Sequence, residues 1–161
     1  RPKRHRRRLR AAATAKLRAA GADHVIDVER EDLVKSVKEI TDGRGVDLAI
    51  DVATGGPATV LPAIQALGVQ GKLIVVPRGD EIRPFPLDVI QRKCLTLKGV
   101  RGHSYQAVEM ALRVIASGRY PLHELGSHRF GLGQVDKAIR SVAGEGLEDV
   151  IHVTVDPWSN S

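Results

Sequence analysis

The sequence predicts an α/β protein with a mostly parallel sheet. Two short apolar runs, at 46–53 and 71–76, lack the alternation of a half-exposed strand, so they favour strands buried on both faces. Apolar residues at helical spacing mark the stretches between the strands. Strands that alternate with helices of about 10–15 residues are typical of βαβ units. The 161 residues, 42% hydrophobic and 27% charged, suffice for one domain with a real core.

The elements follow in chain order. Residues 1–8 are expected to be a disordered basic tail, because like charges repel and little apolar surface offsets the ordering entropy. An Ala-rich helix over 9–20 should end at Gly21. The other predicted elements are a strand at 24–28, a helix with apolar residues between 33 and 40 that ends at Gly43, a strand at 46–53, a helix from Pro57, a strand at 71–76, a helix at 87–93, a strand at 95–100, helices at 105–116 and 132–142, and a closing strand at 149–155.

The net charge of +6 has one local source. Seven of the 25 basic residues lie within the first ten, and the other 18 are balanced by 19 acidic residues. Any nucleic-acid binding therefore rests on this Arg run, which no aromatic residues interleave. Weak non-specific nucleic-acid binding is one interpretation. A misplaced start or a frame shift is the other interpretation, and it explains the run better.

Cysteine and apolar content limit the class of protein. The single cysteine, Cys94, excludes an internal disulfide and a Cys-rich zinc site within the chain. It begins an apolar strand, so a buried, inert thiol is expected. The sequence contains no run of about 18 apolar residues, so no membrane-spanning helix is predicted. The N-terminus also lacks the apolar core of a secretory signal, so we expect a cytoplasmic location.

Six phrases occur in an order that resembles the zinc-type medium-chain alcohol dehydrogenases (the medium-chain dehydrogenase/reductase family), over residues 9–157. They are AGADHVIDV (20–28), TDGRGVDLAIDVATG (41–55), GKLIVVP (71–77), LTLKGVRGHSY (95–105), HRFGLGQVDKAI (128–139) and VIHVTVDP (150–157). The resemblance covers the C-terminal half of that family only. It implies a partial Rossmann-like, doubly wound sheet that lacks its first two strands. Residues 9–127 would be the partial cofactor-binding domain, and residues 128–161 the C-terminal return segment.

The resemblance also shows what this chain lacks. No G-x-G-x-x-G follows a predicted strand, and the pair Gly131 and Gly133 is expected to be a plain loop. Zinc is implied by the family, but no ligand set with metal spacing is present, so we predict no metal ligand and no catalytic residue in this chain. In the strand order 3-2-1-4-5-6, residues 24–28 lose their neighbours. We expect them to pair with 46–53 through a right-handed crossover, or else to be loosely held.

Candidate cofactor-binding residues follow the predicted strands, because ligands of open α/β sheets bind at the carboxyl ends. By resemblance they would line the ribose and the nicotinamide of NAD(P); otherwise they are ordinary loop starts. His152 stands where the family often carries Arg or Lys near the cofactor phosphates, and a histidine would weaken that contact at neutral pH. Equally, it is a strand histidine with a local hydrogen bond. The candidates are Val52, Ala53, Thr54, Val76, Pro77, Arg78, Val100, Arg101, Gly102 and His152.

Together these observations predict the cofactor-binding portion of an oxidoreductase that transfers hydride between NAD(P) and a small alcohol or carbonyl. We expect the chain to be inactive alone, since zinc would come from a missing N-terminal domain. A non-enzymatic truncated remnant is the alternative. The resemblance further implies a homodimer through the edge of the strand at 95–100.

Overall fold

The computed structural model contains two parallel β-sheets, which lie in separate units of the chain. It describes residues 14–53, 56–76, 81–147 and 150–159, so the predicted tail at 1–8 lies outside the described residues. One unit spans Ile26–His103, and the other combines the chain before Ile26 with the chain after His103. We call them the first-sheet unit and the second-sheet unit.

Most of the elements follow the predicted order, except that the strand at 24–28 is absent and a strand at Gly126–Gly131 is added. The helices are α1 (14–19), α2 (Leu33–Ile40), α3 (Pro57–Ala66), α4 (Leu87–Lys93), α5 (Tyr105–Ala116) and α6 (Val135–Val142), and the strands are β1 (Val46–Asp51), β2 (Leu67–Val75), β3 (Thr96–Gly99), β4 (Gly126–Gly131) and β5 (His152–Asp156), with short 3-10 helices at Leu122–Leu125 and Leu132–Gln134.

The first-sheet unit contains a three-stranded sheet of order β1-β2-β3, and both pairs are parallel. Parallel neighbours need a crossover, and α3 and α4 occur in the two connections. The parallel α/β fold is therefore confirmed. The register of β1 on β2 shifts between Val46 and Leu48 and is regular from Leu48 to Asp51.

The core of this unit lies between α3 and β2. Val60, Ile64, Leu67 and Leu73 form one cluster, and Ile64 and Leu73 have no exposed surface. α3 supplies Val60 and Ile64 to this cluster, whereas Leu67 is the first residue of β2. The helix ends without a separate loop, so one apolar run serves both elements.

Helix starts follow the expected capping chemistry. The Asp32 carboxylate accepts a hydrogen bond from the Lys35 N–H at 2.9 Å and caps α2, and the Ser104 hydroxyl accepts from Ala107 at 3.2 Å and caps α5. Pro57 stands in the first turn of α3, where its missing N–H has no effect on the helix ladder.

The prediction that β1 is buried on both faces is wrong. Leu48 is 50% exposed and Ile50 is 56% exposed. The predicted strand at 24–28 is wrong as well, since these residues form no strand and do not pair with β1. Leu48, Ile50 and Val52 alternate along β1, so they share the face of the strand that the described residues leave exposed, whereas Asp51 on the opposite face is buried.

The second-sheet unit pairs β4 with β5 in parallel and buries Phe130 and Ala138. β4 was not predicted, and it corrects the interpretation of the glycine pair, because Gly131 is its last residue. The sequence still lacks the third fingerprint glycine. The predicted boundary between segments 9–127 and 128–161 stays a prediction.

Candidate functional site

Three of the predicted strand ends lie side by side. Asp51, Val75 and Gly99 are in register across β1, β2 and β3. The N–H of Val76 donates to the Asp51 carbonyl at 3.0 Å, and the N–H of Val100 donates to the Val75 carbonyl at 3.0 Å. The hydrogen-bond ladder therefore continues past the strands and brings together Val52, Val76 and Val100 at one edge, which we call the strand-end edge.

The strand-end edge is open to solvent. Val52 is 72% exposed and Val76 is 44% exposed, although both are apolar. Ala53, Arg101 and Gly102 are also exposed, and Val100 is half-buried. Of the other predicted site residues of this unit, Thr54, Pro77 and Arg78 lie outside the described residues.

Asp51, at the end of β1, is not among the residues predicted for the site. Its side chain is nearly buried, and its carboxylate accepts hydrogen bonds from the Ala53 N–H at 3.0 Å and from the Thr59 hydroxyl at 2.9 Å. It thus ties the chain after β1 to the first turn of α3, and it already satisfies the Ala53 N–H. The signal was present as an acidic residue inside the apolar run VDLAIDVA.

His152 belongs to the second-sheet unit and is the first residue of β5. The Ser127 hydroxyl accepts from the Ile151 N–H at 2.9 Å and the His152 N–H at 3.2 Å, and donates to the His152 carbonyl at 3.0 Å. This bridge holds the backbone of His152 where the β4–β5 register is irregular, and the side chain stays exposed. A role for the imidazole at a cofactor phosphate stays a prediction.

An apolar cavity of about 630 Å³ adjoins β1 in the first-sheet unit. It lies among α2, β1 and α3, and its walls include Val34, Val37, Ile50 and Pro62, with Asp51 at one side. The side chains that line it are mostly aliphatic, so the cavity offers apolar contact and few polar groups.

Metal-binding chemistry does not fit the part of the chain that the structure describes, where no group of three or more His, Cys, Asp and Glu side chains is suited to hold an ion.

The prediction that the Cys94 thiol is buried is wrong. Cys94 is exposed, and it stands at the C-terminal end of α4 in the left-handed conformation, with φ of 52°. The described helices are also too short or too polar to cross a membrane.

Comparison with known proteins identifies relatives along most of the chain. The family model described as zinc-binding dehydrogenase matches residues 7–117. The chain is 35% identical to scyllo-inosose 3-dehydrogenase of Thermotoga maritima over 61% of its own length and 26% of that protein. It is 33% identical to L-threonine 3-dehydrogenase of Pyrococcus horikoshii over 68% of its length and 32% of that protein.

Solved structures show the same architecture. The alcohol dehydrogenase of Thermus sp. ATN1 superposes with a TM-score of 0.70 and 26% identity, over 80% of this chain and 36% of that chain. The chain thus spans about a quarter to a third of the length of these relatives. Since the family match covers more than half of its residues, the chain belongs to the zinc-binding dehydrogenase family.

Proposed function

We propose that this chain is the C-terminal cofactor-binding portion of an alcohol dehydrogenase-like oxidoreductase. The whole enzyme would transfer hydride between NAD(P) and an alcohol or carbonyl compound. Its relatives are named for threonine and for an inosose, so a small hydroxylated substrate is the class we favour. By itself the chain is expected to be inactive.

The observation that carries this proposal is the alignment of the three strand ends. Ligands of open, parallel α/β sheets bind outside the carboxyl ends of the strands. Here Asp51, Val75 and Gly99 end in register, and the residues that follow them are largely exposed. Because the three strands end at the same register and the residues after them are accessible, this edge suits an extended ligand that crosses several strands.

The residues of this edge fit the apolar part of a dinucleotide. Val52 and Val76 present exposed aliphatic surface, against which a flat ring can pack. Gly102 has φ of 67°, and no atom lies within 4 Å of the position a Cβ would take, so a ligand can approach its backbone. Arg101 adds an exposed cation. The nicotinamide, when bound, supplies the site that accepts or donates hydride.

The described residues do not fit zinc, so we derive no chemical step through a metal. In this proposal the ion is held by residues outside this chain. The homodimer through the 95–100 edge and the cytoplasmic location are further parts of the proposal. Among the described strands, β3 lies at an edge of its sheet, and the proposed partner would pair there.

Calorimetric titration with NADH and NADPH tests the chain alone. We expect no binding tighter than about 100 μM, because the phosphate-binding glycine turn is absent from the sequence. Tighter binding, or turnover of an alcohol with NAD or NADP, contradicts the inactive-fragment proposal.

A chimera tests the cofactor role itself. The chain replaces the segment that aligns with it in the Pyrococcus horikoshii relative, and NADH binding is measured by fluorescence. We expect the chimera to bind NADH, and Val76→Asp to weaken binding at least about tenfold, because a carboxylate replaces the aliphatic surface against which a flat ring of the dinucleotide packs. Val69→Asp is the matched control, since Val69 is an exposed valine of β2 away from that edge. Equal loss in both variants refutes the site.

A further inference from the structure

The feature that the cofactor proposal leaves unused is the Asp51 side chain, which stands at the end of β1 beside the strand-end edge. Asp51 is 7% exposed. Burying a carboxylate is costly unless its oxygens accept hydrogen bonds. Here Oδ1 accepts from the Ala53 N–H at 3.0 Å, and Oδ2 accepts from the Thr59 hydroxyl at 2.9 Å. Each oxygen thus has its own donor, and the whole arrangement lies within residues 51–59.

The hydrogen bonds of Asp51 hold Val52 from both sides. On one side, the Asp51 carbonyl accepts from the Val76 N–H at 3.0 Å. On the other side, the Asp51 carboxylate accepts from the Ala53 N–H. The peptide groups before and after Val52 are therefore both fixed, although its side chain is 72% exposed. An exposed residue that is held in this way has little backbone freedom left to lose when a ligand packs against it.

The sheet does not supply the bond that the carboxylate makes. The pairing of β1 with β2 ends at Asp51 and Val75, and Ala53 lies beyond it on the surface. Without the carboxylate, the Ala53 N–H would bond to water, and Val52 would be held on one side only.

The bond to Thr59 connects this arrangement to the packed core. Thr59 lies in the first turn of α3. The next residue, Val60, and Ile64 one turn later belong to the buried cluster. Because that cluster fixes α3, Asp51 ties the backbone of Val52 to the most tightly packed part of the first-sheet unit.

We propose that Asp51 is a positioning residue for cofactor binding, which fixes the backbone of Val52 so that its aliphatic side chain is already in place when the dinucleotide binds. This inference rests on the proposed cofactor role of the strand-end edge. Asp51 acts through Val52 and does not touch the ligand. Both of its donors are neutral, so asparagine should replace it, because the amide oxygen accepts from the Ala53 N–H. Leucine has no acceptor and should not replace it.

Amide hydrogen exchange of the full chain, followed by NMR, tests the restraint without any cofactor. The Ala53 amide should exchange at least about tenfold faster in Asp51→Leu than in wild type, because the lost hydrogen bond leaves this exposed amide to water. In Asp51→Asn its rate should stay within about threefold of wild type. An Ala53 rate that Asp51→Leu leaves unchanged overturns the proposal.

NADH binding to the chimera described above tests the consequence for the cofactor. Asp51→Leu should weaken binding about tenfold, since ordering the backbone of one residue corresponds to about that factor in affinity. Asp51→Asn should bind within about threefold of the unsubstituted chimera. Thr59→Val removes only the tie to α3, so it should give an intermediate loss. It keeps the test valid if Asp51→Leu is poorly folded.

Ile64→Val is the matched control for a merely structural effect, because it removes a buried methyl group from the core of the same unit. It should lower the thermal stability and leave the NADH affinity unchanged. If Ile64→Val weakens binding as much as Asp51→Leu does, or if Asp51→Leu binds NADH as tightly as the unsubstituted chimera, Asp51 has no positioning role. An unsubstituted chimera that binds no NADH overturns the cofactor proposal as well, so the two failures are distinguishable.

Discussion

The two units use similar apolar patterns and obtain different amounts of burial from them. In the first-sheet unit, α3 and β2 pack Ile64, Leu67 and Leu73 to below 2% exposure. In the second-sheet unit, the twelve residues of α5 include none that is buried, and Ile115 is 57% exposed. Periodicity thus specifies a helix, whereas burial requires a second layer on which the helix can pack.

The largest expected difference between the units comes from removing a core side chain. Ile64→Ala should lower the free energy of unfolding by about 2–5 kcal/mol, because it leaves a cavity against β2. Ile115→Ala should change it by less than about 0.5 kcal/mol, since that side chain is mostly in solvent. Urea unfolding followed by circular dichroism gives both values, and amide exchange of peptides from 57–75 locates the effect. Similar losses for both variants would remove the contrast.

Two glycines, one in each unit, allow the stability cost of an added methyl group to be compared between the units. Gly45 has φ of 82°, and a Cβ there would lie 2.6 Å from the Ala66 carbonyl oxygen. Gly144 has φ of 86°, but no atom lies within 4 Å of its Cβ position. Gly144→Ala should cost about 1–2 kcal/mol for the left-handed backbone, and Gly45→Ala about 3 kcal/mol, because overlap with backbone atoms is added. Equal values in urea unfolding would show that the close approach is absent.

Replacing Lys93 or Lys137 should give a smaller difference in the free energy of unfolding between the two units. The Lys93 ammonium donates to the carbonyl oxygens of Gln65 and Leu67, at 2.9 and 2.6 Å, at the end of α3. Lys137 lies 5.8 Å from the centre of the Phe130 ring. Lys93→Met should cost about 1–2 kcal/mol by leaving these carbonyls unpaired, against about 0.5 kcal/mol for Lys137→Met. A cost for Lys137→Met that equals that of Lys93→Met would contradict the contrast.

The pH dependence of Lys93 has a definite sign. Burial, with smaller contributions from the charges of Lys38 and Arg92, lowers the pKa of Lys93 from the ordinary value of 10.5. The unfolded chain then binds this proton more tightly than the folded chain does. The contribution of Lys93 to stability must therefore increase as the pH rises towards 10.5. Urea unfolding of wild type and Lys93→Met across this range should show the two curves diverging, and converging curves would show the opposite shift.

Local patterns predicted most of the elements but not all of their pairings. The helix at 105–116 has the predicted bounds, because its apolar spacing and the Ser104 cap are both local signals. The strand at 24–28 failed, since a strand needs a neighbour and its segment contains no information about one. β4 was missed because GSHRFG has little apolar alternation, and its pairing with β5 is a contact between distant segments.

In the candidate site, too, some residues could be predicted from local sequence and others depend on contacts in the folded chain. Val52, Val76 and Val100 each follow an apolar run in the sequence. Because parallel strands present their carboxyl ends at the same edge of a sheet, these residues could be predicted to lie together. Asp51 was missed, because only the folded chain brings Thr59 and the Ala53 N–H to its carboxylate.

By itself the sequence determined the α/β class, the order of the helices and the family resemblance, because these depend on periodicity, capping and phrases that short segments carry. Only the tertiary structure decided which apolar faces are covered. β1 has the composition of a central strand but lies at an edge, and α5 has an apolar stripe but no buried residue. Burial is a property of two surfaces in contact, and a segment specifies only one of them.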